Sequence, residues 1–276
     1  MMLFILTSSD DSLPLDPYLS SLWGAYSLGQ LNTSYVGPAI RVRRSNDDAE
    51  DDIDFVAGVL DTAGLATFVG ANDAFITTWY DQSGGGHHLA QATAGAQPRI
   101  VDGGVLDAGV VFDGTSDILV SPNTGTPNAF TVYLKGSAPT TTQIFLEQSA
   151  NYNSNTGAIL YYESSKTSVG LSQTTSANVA RSDFDTGPSG QVLTARFDRL
   201  AFGGANKAAL FSDGTLLTRS SNGDGGPVSG NFDAAPWYVG ARSGLVAPSA
   251  LTLETLVIYE TAQSDAVVEA VSLRLS

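Results

Sequence analysis

The sequence predicts an all-β protein, a sandwich or a barrel, and three observations lead to this prediction. From about residue 100 onward the chain is a series of short apolar runs, each closed by Gly, Asn, Asp or Pro, which is typical of short strands joined by turns. Thr, Ser, Val, Tyr and Phe dominate these runs, and such residues suit a pleated, half-buried surface. The chain has 276 residues, 42% of them hydrophobic, enough to bury the core of one large β domain or two small ones.

The charge and the absence of cysteine narrow the function classes. Lys and Arg number 13 against 28 Asp and Glu, a formal net charge of −15, so we expect neither nucleic-acid nor membrane binding. The chain has no cysteine, which excludes disulfides, thiolate nucleophiles and cysteine-based zinc sites. The start MMLFILTSSDD lacks the basic region of a secretion signal. We therefore expect synthesis in a cytoplasm and release by another route such as cell lysis.

The first 24 residues predict an extended arm. A short apolar piece, residues 3–6, precedes a segment with two prolines, which disfavour a helix there. We expect the arm to contact a partner subunit or another protein, although docking on its own domain is equally compatible. The sandwich domain then occupies residues 25–276, and we expect a homo-oligomer.

Two short helices interrupt the strand pattern. The first is predicted between an N-cap at Asp61 and a stop at Gly70, and the second near the end of the chain after Ser264. Residues 39–43 alternate apolar and basic side chains, which predicts a strand with one buried face. The later strands are predicted in GVVFDGTSDILVS, AFTVYLKG, TQIFLEQ, GAILYYE, TSVGLSQ, QVLTARFD, KAALFSDGTLLTRS, PWYVGAR and LTLETLVIYE.

Both histidines lie in the segment TTWYDQSGGGHHLAQ, residues 77–91, which we interpret as a tight turn. Residues 83–86 can adopt left-handed conformations, and Asp81 can accept hydrogen bonds from free backbone N–H groups. His87 and His88 are adjacent, so on a strand they point to opposite faces and cannot chelate one metal together. A role for this segment in a ligand surface is the alternative.

An acidic run at residues 46–52 offers the only candidate metal site. We expect its carboxylates to pair with nearby arginines, and we expect no cofactor. The alternative is a Ca²⁺ site, although the run lacks the glycine of a sharply bent calcium loop. The candidate ligands are Asp47, Asp48, Asp51 and Asp52.

Aromatic side chains provide a candidate glycan surface, because sugars stack their apolar faces on exposed Trp or Tyr beside polar groups. Core burial is the competing role for each of them. The candidates are Trp79, Tyr80, Asp81, His87, His88, Trp237, Tyr238 and Arg242.

Three segments resemble a known family. AYSLGQLNTSYVGPAIRVRRSNDDAEDDIDF, TTWYDQSGGGHHLAQ and VVFDGTSDILV resemble the catalytic domain of α-L-arabinofuranosidase B. They also resemble the concanavalin A-like, laminin-G-type modules of bacteriophage virion proteins. The resemblance is close over about residues 25–120. It implies a two-sheet antiparallel jelly roll with one or two short helices.

The residues that hydrolysis requires are not evident in the sequence. A retaining glycosidase needs two carboxylates about 5–5.5 Å apart. The resemblance implies one near WYVGAR, where Arg242 stands, and one near TSVGLSQTTSANVA, which has no acid. The family's adjacent cysteine pair is also absent. The remaining acids, which their spacing does not pair, are Glu147, Glu163, Asp183, Asp185, Asp198, Asp224 and Asp233.

We therefore predict a non-enzymatic bacteriophage virion protein, a tail fibre or capsid decoration, located in the virion and able to bind host-surface glycan. Its arm would contact other virion proteins. An α-L-arabinofuranosidase-type glycoside hydrolase is the first alternative. A structural, oligomer-forming decoration protein without a ligand is the second.

Overall fold

A computed structural model describes residues 12–138, 143–163, 165–173, 176–187, 189–201, 207–222 and 228–276. Within these ranges the chain forms 21 strands and two α-helices, α1 (Thr62–Val69) and α2 (Asp265–Leu275), with 3-10 turns at Asp16–Tyr18 and Ala94–Ala96. The strands are β1 (Leu22–Ser27), β2 (Ile40–Arg44), β3 (Glu50–Ile53), β4 (Phe55–Val56), β5 (Val59–Leu60), β6 (Ala74–Trp79), β7 (Leu89–Ala90), β8 (Arg99–Asp102), β9 (Val105–Asp113), β10 (Leu119–Asn123), β11 (Ala129–Ser137), β12 (Gln143–Gln148), β13 (Ala158–Glu163), β14 (Lys166–Gln173), β15 (Ser176–Phe184), β16 (Ser189–Asp198), β17 (Ala208–Ser212), β18 (Thr215–Leu216), β19 (Ser221–Asn222), β20 (Pro236–Val239) and β21 (Ala250–Tyr259).

The strands form two antiparallel layers, so the predicted all-β sandwich is confirmed. The first layer begins with the order β18-β17-β16-β11-β21. On its other side, β21 pairs with both β1 and β9. From β9 the layer continues through β8, β6, β2 and β3. The second layer runs β7-β10-β20-β12-β13-β14-β15-β19. Strand β6 also pairs with β7 and so joins the layers.

The main core lies between the layers. Fully buried side chains from both layers meet there, including Trp79, Phe130, Leu160, Trp237 and Ile258. Burial of apolar surface on this scale is the dominant stabilising term in folding. Each strand of the second layer therefore turns one face towards this core and the other face outwards.

Both predicted helices are present. Helix α1 follows Asp61, whose carboxylate accepts a hydrogen bond from the Gly64 N–H, and it ends at Gly70. Helix α2 follows Ser264 and covers the outer face of the first layer, where it closes a second apolar cluster. None of the helices in the described ranges is both long and apolar enough to cross a membrane.

The described part of the predicted arm lies on the domain. Leu15 is buried in the cluster beneath α2, and its N–H donates to the Leu31 carbonyl at 2.8 Å. The Asp16 carboxylate accepts from the Thr33 N–H at 2.8 Å. Residues 1–11, which include the predicted strand-like piece at residues 3–6, lie outside the described ranges.

Candidate functional site

The glycine-rich segment after β6 is a hydrogen-bonded turn. Asp81 is buried, and its carboxylate accepts from the N–H groups of Ala25 at 2.9 Å, Ser83 at 2.8 Å and His87 at 3.0 Å. The turn passes through Gly84 at φ 86°, a conformation that costs glycine little. Asp81 therefore ties the turn to β1, and its oxygens are occupied by the protein's own donors.

The two histidines also contact the protein itself. The His87 ring stacks on Trp23 with centroids 4.4 Å apart, and its Nδ1 lies 2.5 Å from the Trp23 carbonyl oxygen. The His88 Nδ1 accepts from the Asp81 N–H at 3.0 Å, and its ring meets Tyr80 edge-on. Both imidazoles therefore hold the turn in place.

The acidic run forms ion pairs with arginines of β2. Asp47 pairs with Arg44 at 2.7 Å, and this contact holds the pKa of Asp47 below its usual range. The same arrangement joins Asp48 to Arg43 and Asp52 to Arg41, while Asp51 accepts from the neighbouring Asp52 N–H. In the described part of the chain, no three His, Cys, Asp or Glu residues are placed to hold a metal ion.

The aromatic candidates separate into buried and partly accessible side chains. Trp79 and Trp237 are fully buried in the main core, so neither offers a ring face to a sugar. The Tyr80 hydroxyl donates to Asp52 at 2.8 Å. Tyr238 lies opposite Glu147 across the β12–β20 pairing and is half-buried on the outer face of the second layer.

Strand register brings three acids to this outer face. Glu147 of β12 lies opposite Ile159 of β13, and residues directly opposite in an antiparallel pair share a face. Tyr161 lies opposite Ser168, which in turn lies opposite Asp183 of β15. Since side chains two residues apart on a strand also share a face, Ile159, Tyr161 and Glu163 all point outwards. Glu147, Glu163 and Asp183 thus share one surface, although their spacing in the chain did not pair them.

A cavity of about 150 Å³ opens on this face between β12, β13 and the loop after β20. Aliphatic and tyrosine side chains form most of its wall, with an amide, a carboxylate and a guanidinium. The lining residues are Ile144, Tyr152, Asn153, Ile159, Tyr161, Glu163 and Arg242.

One side of the cavity contains a buried ion pair. The Glu147 carboxylate accepts from the Arg242 Nε at 2.6 Å and from the Ser149 hydroxyl at 2.6 Å. The Glu147 side chain is 0% exposed, whereas that of Arg242 is 20% exposed and lies over the Tyr152 ring. Because Glu147 is buried beneath Arg242, its carboxylate does not reach the cavity.

A second carboxylate and guanidinium pair lies on the same face of the sheet, on β15, two strands from β13, and does not line the cavity. Asp183 accepts from the Arg181 Nε at 2.5 Å and from the hydroxyls of Ser168 at 2.7 Å and Ser221 at 2.8 Å. Burial opposes the charged form of Asp183. The hydrogen bonds from Arg181, Ser168 and Ser221 outweigh that effect and hold its pKa below the usual value. Asp183 is therefore charged at neutral pH.

Glu163 differs from both of these acids. It lines the cavity and is half-buried, yet no side chain or backbone N–H in the described ranges donates to its carboxylate. Burial is the main cause of the raised pKa of Tyr161, and the nearby charges of Asp183 and Glu163 raise it further. Glu163 is thus the carboxylate of this cavity that remains available to a ligand.

Sequence reasoning named Glu163 only among the scattered acids. The alternation of Ile159, Tyr161 and Glu163 against Leu160 and Tyr162 was a usable signal, because it puts the first three on one face of a strand. What the alternation could not show is which of the two faces is covered by the core.

Comparisons with known proteins place this fold beside arabinofuranosidases. A family model described as "Alpha-L-arabinofuranosidase B, catalytic" matches residues 23–156. An α-L-arabinofuranosidase B of Penicillium canescens is 34% identical over 108 residues, which is 36% of this chain and 23% of the relative. A probable α-L-arabinofuranosidase B of Aspergillus fumigatus is 34% identical over 120 residues, which is 40% of this chain and 24% of the relative. The matched part thus spans about a quarter of the length of these relatives.

Solved structures extend the likeness over nearly the whole chain. An arabinofuranosidase complexed with arabinofuranosyl-α-1,2-xylobiose superposes with a TM-score of 0.69 at 18% identity, covering 95% of this chain and 65% of that one. An α-L-arabinofuranosidase soaked with a cyclic sulfate inhibitor gives a TM-score of 0.66, also at 18% identity and with the same coverage of both chains. The chain is therefore a β-sandwich like the catalytic domain of α-L-arabinofuranosidase B.

These findings correct the predicted function and location. The relatives that the sequence matches are arabinofuranosidases of Penicillium, Aspergillus and Hypocrea, and a bacteriophage virion receives no support from them. The prediction of a non-enzymatic virion protein, and with it that of a tail fibre or capsid decoration located in the virion, was wrong. The arabinofuranosidase alternative is the better supported of the hypotheses drawn from the sequence.

Proposed function

We propose that this chain is a glycoside hydrolase domain that cleaves α-L-arabinofuranosyl units, and that the cavity beside Glu163 holds the sugar. The observation that carries the proposal is the family match over residues 23–156, because that match includes one wall of the cavity. The lining residues that fall within the matched range are Ile144, Tyr152 and Asn153.

The size and the lining of the cavity suit a single sugar ring. Its volume of about 150 Å³ is below the roughly 300–1,000 Å³ of pockets that enclose drug-sized ligands. Ile144 and Ile159 provide an apolar floor, and Tyr161 adds an aromatic ring. Polar groups at the edge, from Asn153 and Glu163, are available to sugar hydroxyls.

Glycoside hydrolysis requires two carboxylates, and Glu163 with Asp183 form the better placed pair. They lie two strands apart and two residues apart in register, so their Cα atoms are roughly 12 Å from each other. The proposal therefore requires the two side chains to lean together during the reaction, to the roughly 5–9.5 Å found between glycosidase carboxyl groups. Asp183 is held charged by Arg181, which suits a nucleophile or base better than a proton donor.

The chain departs from the pattern implied by the resemblance at Arg242, which stands where one of the two carboxylates was expected. Arg242 neutralises Glu147 and closes the cavity on that side. A mechanism in this chain therefore relies on Asp183 rather than Glu147 as the second carboxylate.

Hydrolysis of 4-nitrophenyl α-L-arabinofuranoside by the purified chain tests the proposal. Glu163→Gln should lower kcat by roughly 10²–10⁴-fold, and Asp183→Asn should do the same. Glu269→Gln is the matched control, because Glu269 is exposed on α2 at the opposite side of the sandwich. Circular dichroism of each variant shows whether the fold is kept.

Two results would overturn the proposal. One is a folded wild-type chain that releases no nitrophenol, including the case in which it binds L-arabinose without turnover. The other is turnover that Glu163→Gln leaves unchanged. If the chain is active, NMR of the first-formed anomer shows whether configuration is retained or inverted, and so reports the working separation of the two carboxyl groups.

A further inference from the structure

The loop after β20 continues the wall of the cavity towards solvent. The Arg242 N–H donates to the Val246 carbonyl at 2.9 Å, and the two residues form an isolated antiparallel bridge. Residues paired in this way project their side chains to the same side. Val246 therefore lies beside Arg242 at the rim of the cavity. The base of the loop is closed by a hydrogen bond from the Ser249 N–H to the Gly240 carbonyl at 2.8 Å.

The tip of this loop exposes two apolar side chains. Leu245 is 38% exposed and Val246 is 55% exposed. A single exposed aliphatic residue on a protein surface needs no explanation. Leu245 and Val246 are adjacent in a loop whose Val246 lies beside Arg242, and together they form a small apolar platform.

The backbone of the loop is strained at a residue of this platform. Leu245 has φ 58° and Ala247 has φ 50°, and a left-handed conformation is unfavourable for both because of their Cβ atoms. Glycine would relieve the strain at position 245, as Gly244 does beside it at φ 73°. Leucine there combines backbone strain with an exposure of 38%, so packing within the fold gives only a weak reason for the choice. Strain of this kind is concentrated at functional sites.

We propose that Leu245 and Val246 form the leaving-group subsite, where the ring attached to the arabinofuranosyl unit rests during cleavage. This inference depends on the proposed function. The cavity has room for about one sugar ring, so a ring attached to that sugar has to lie outside the opening, and Val246 lies there beside Arg242. The occupant is an aryl or pyranose ring that presents an apolar face.

The charge at the rim favours an uncharged ring. The Arg242 guanidinium is neutralised by Glu147 at 2.6 Å and also reaches Asn153 at 3.4 Å. Since the exposed tip itself carries only aliphatic side chains, a carboxylate on the leaving-group sugar would find no unpaired cation there. The subsite therefore selects by apolar contact.

Leu245→Gly and Ala247→Gly provide a matched pair of variants. Both relieve backbone strain at a positive φ in the same loop, but the first removes a large apolar side chain and the second only a methyl group. The substrates are 4-nitrophenyl and methyl α-L-arabinofuranoside, which differ in the size of the leaving group. L-Arabinose serves as a competing ligand without a leaving group.

Leu245→Gly should raise the KM of the nitrophenyl substrate roughly tenfold with kcat nearly unchanged, the pattern expected when uniform binding is lost. The KM of the methyl substrate and inhibition by L-arabinose should stay the same. Ala247→Gly should change none of these values. The melting temperature of Leu245→Gly should equal or exceed that of the wild type, whereas a merely structural role for Leu245 would lower it.

An unchanged ratio of the two KM values in Leu245→Gly would overturn the inference. This includes the case in which both KM values rise equally and the melting temperature falls. If the wild-type chain binds arabinosides without turnover, the proposed function fails, and the ratio of the two Kd values still tests the subsite. If the wild type binds no arabinoside, both proposals fail. If it is active and the ratio is insensitive to Leu245, only the subsite fails.

Discussion

The buried ion pair between Glu147 and Arg242 offers a direct test of how the cavity wall is built. Glu147 is 0% exposed and has two described partners, Arg242 and Ser149. Replacing Arg242 by Met keeps an aliphatic stem over the Tyr152 ring but removes the charge. The buried carboxylate is then left with one hydrogen bond.

The expected loss of stability follows from this geometry. Removing one partner of a buried pair costs about 3–5 kcal/mol. Because the Arg242 side chain is 20% exposed, water reaches the vacated place, and we expect about 2–4 kcal/mol for Arg242→Met. In a domain of this size, that lowers the melting temperature by roughly 5–15 °C. Glu147→Gln should cost only about 1 kcal/mol, since Arg242 can turn towards solvent.

Urea unfolding of the wild type, both single variants and the double variant measures the pair, with tryptophan fluorescence as the signal. Combining Glu147→Gln with Arg242→Met removes the orphaned charge, so the double variant should be more stable than Arg242→Met alone. The m-value should be the same throughout. Single losses that add to within about 0.5 kcal/mol would refute the argument, because independent residues behave in that way.

Two further predictions concern acids outside the cavity. Burial raises the pKa of Asp117 to about 7, and the charge of Asp113 adds to the effect; the unfolded value is about 3.9. The neutral form is therefore favoured by folding, and stability that is fully present below pH 4 is lost as the pH rises through 7. Between pH 5 and pH 8, the free energy of unfolding of Asp117→Asn should rise by about 1–2 kcal/mol relative to that of the wild type, after allowance for solvent screening. Urea titrations that show no pH-dependent difference between the two proteins would contradict this. Asp81→Ala removes the acceptor of three backbone N–H groups. It should lower the free energy of unfolding, measured by thermal unfolding, by roughly 3–5 kcal/mol. Asp51→Ala, at an exposed position, should change it by less than about 0.5 kcal/mol. Equal effects at the two positions would show that the turn does not depend on Asp81.

Much of the fold follows from local patterns along the chain. Alternating apolar runs closed by turn residues predicted the strands, and the caps at Asp61 and Ser264 predicted both helices. The turn in the glycine-rich segment was also predictable, because Asp81 and the glycines after it favour a turn over a helix or a strand. These features involve residues within a few positions of each other, so a sequence pattern can express them.

The candidate site depends on contacts between distant parts of the chain. Arg242 contacts Glu147, which lies 95 positions earlier in the chain. Glu163 and Asp183 share a face because their strands, β13 and β15, both pair with β14. Alternation along a strand shows that neighbours face opposite ways, but the pairing of strands decides which face meets the core and which meets solvent. For this reason the spacing of the acids suggested that no pair exists, and the function inferred from that absence was wrong. The pattern of residues was sufficient for an antiparallel sandwich, whereas only the register between its strands brought Glu147, Glu163 and Asp183 to one surface.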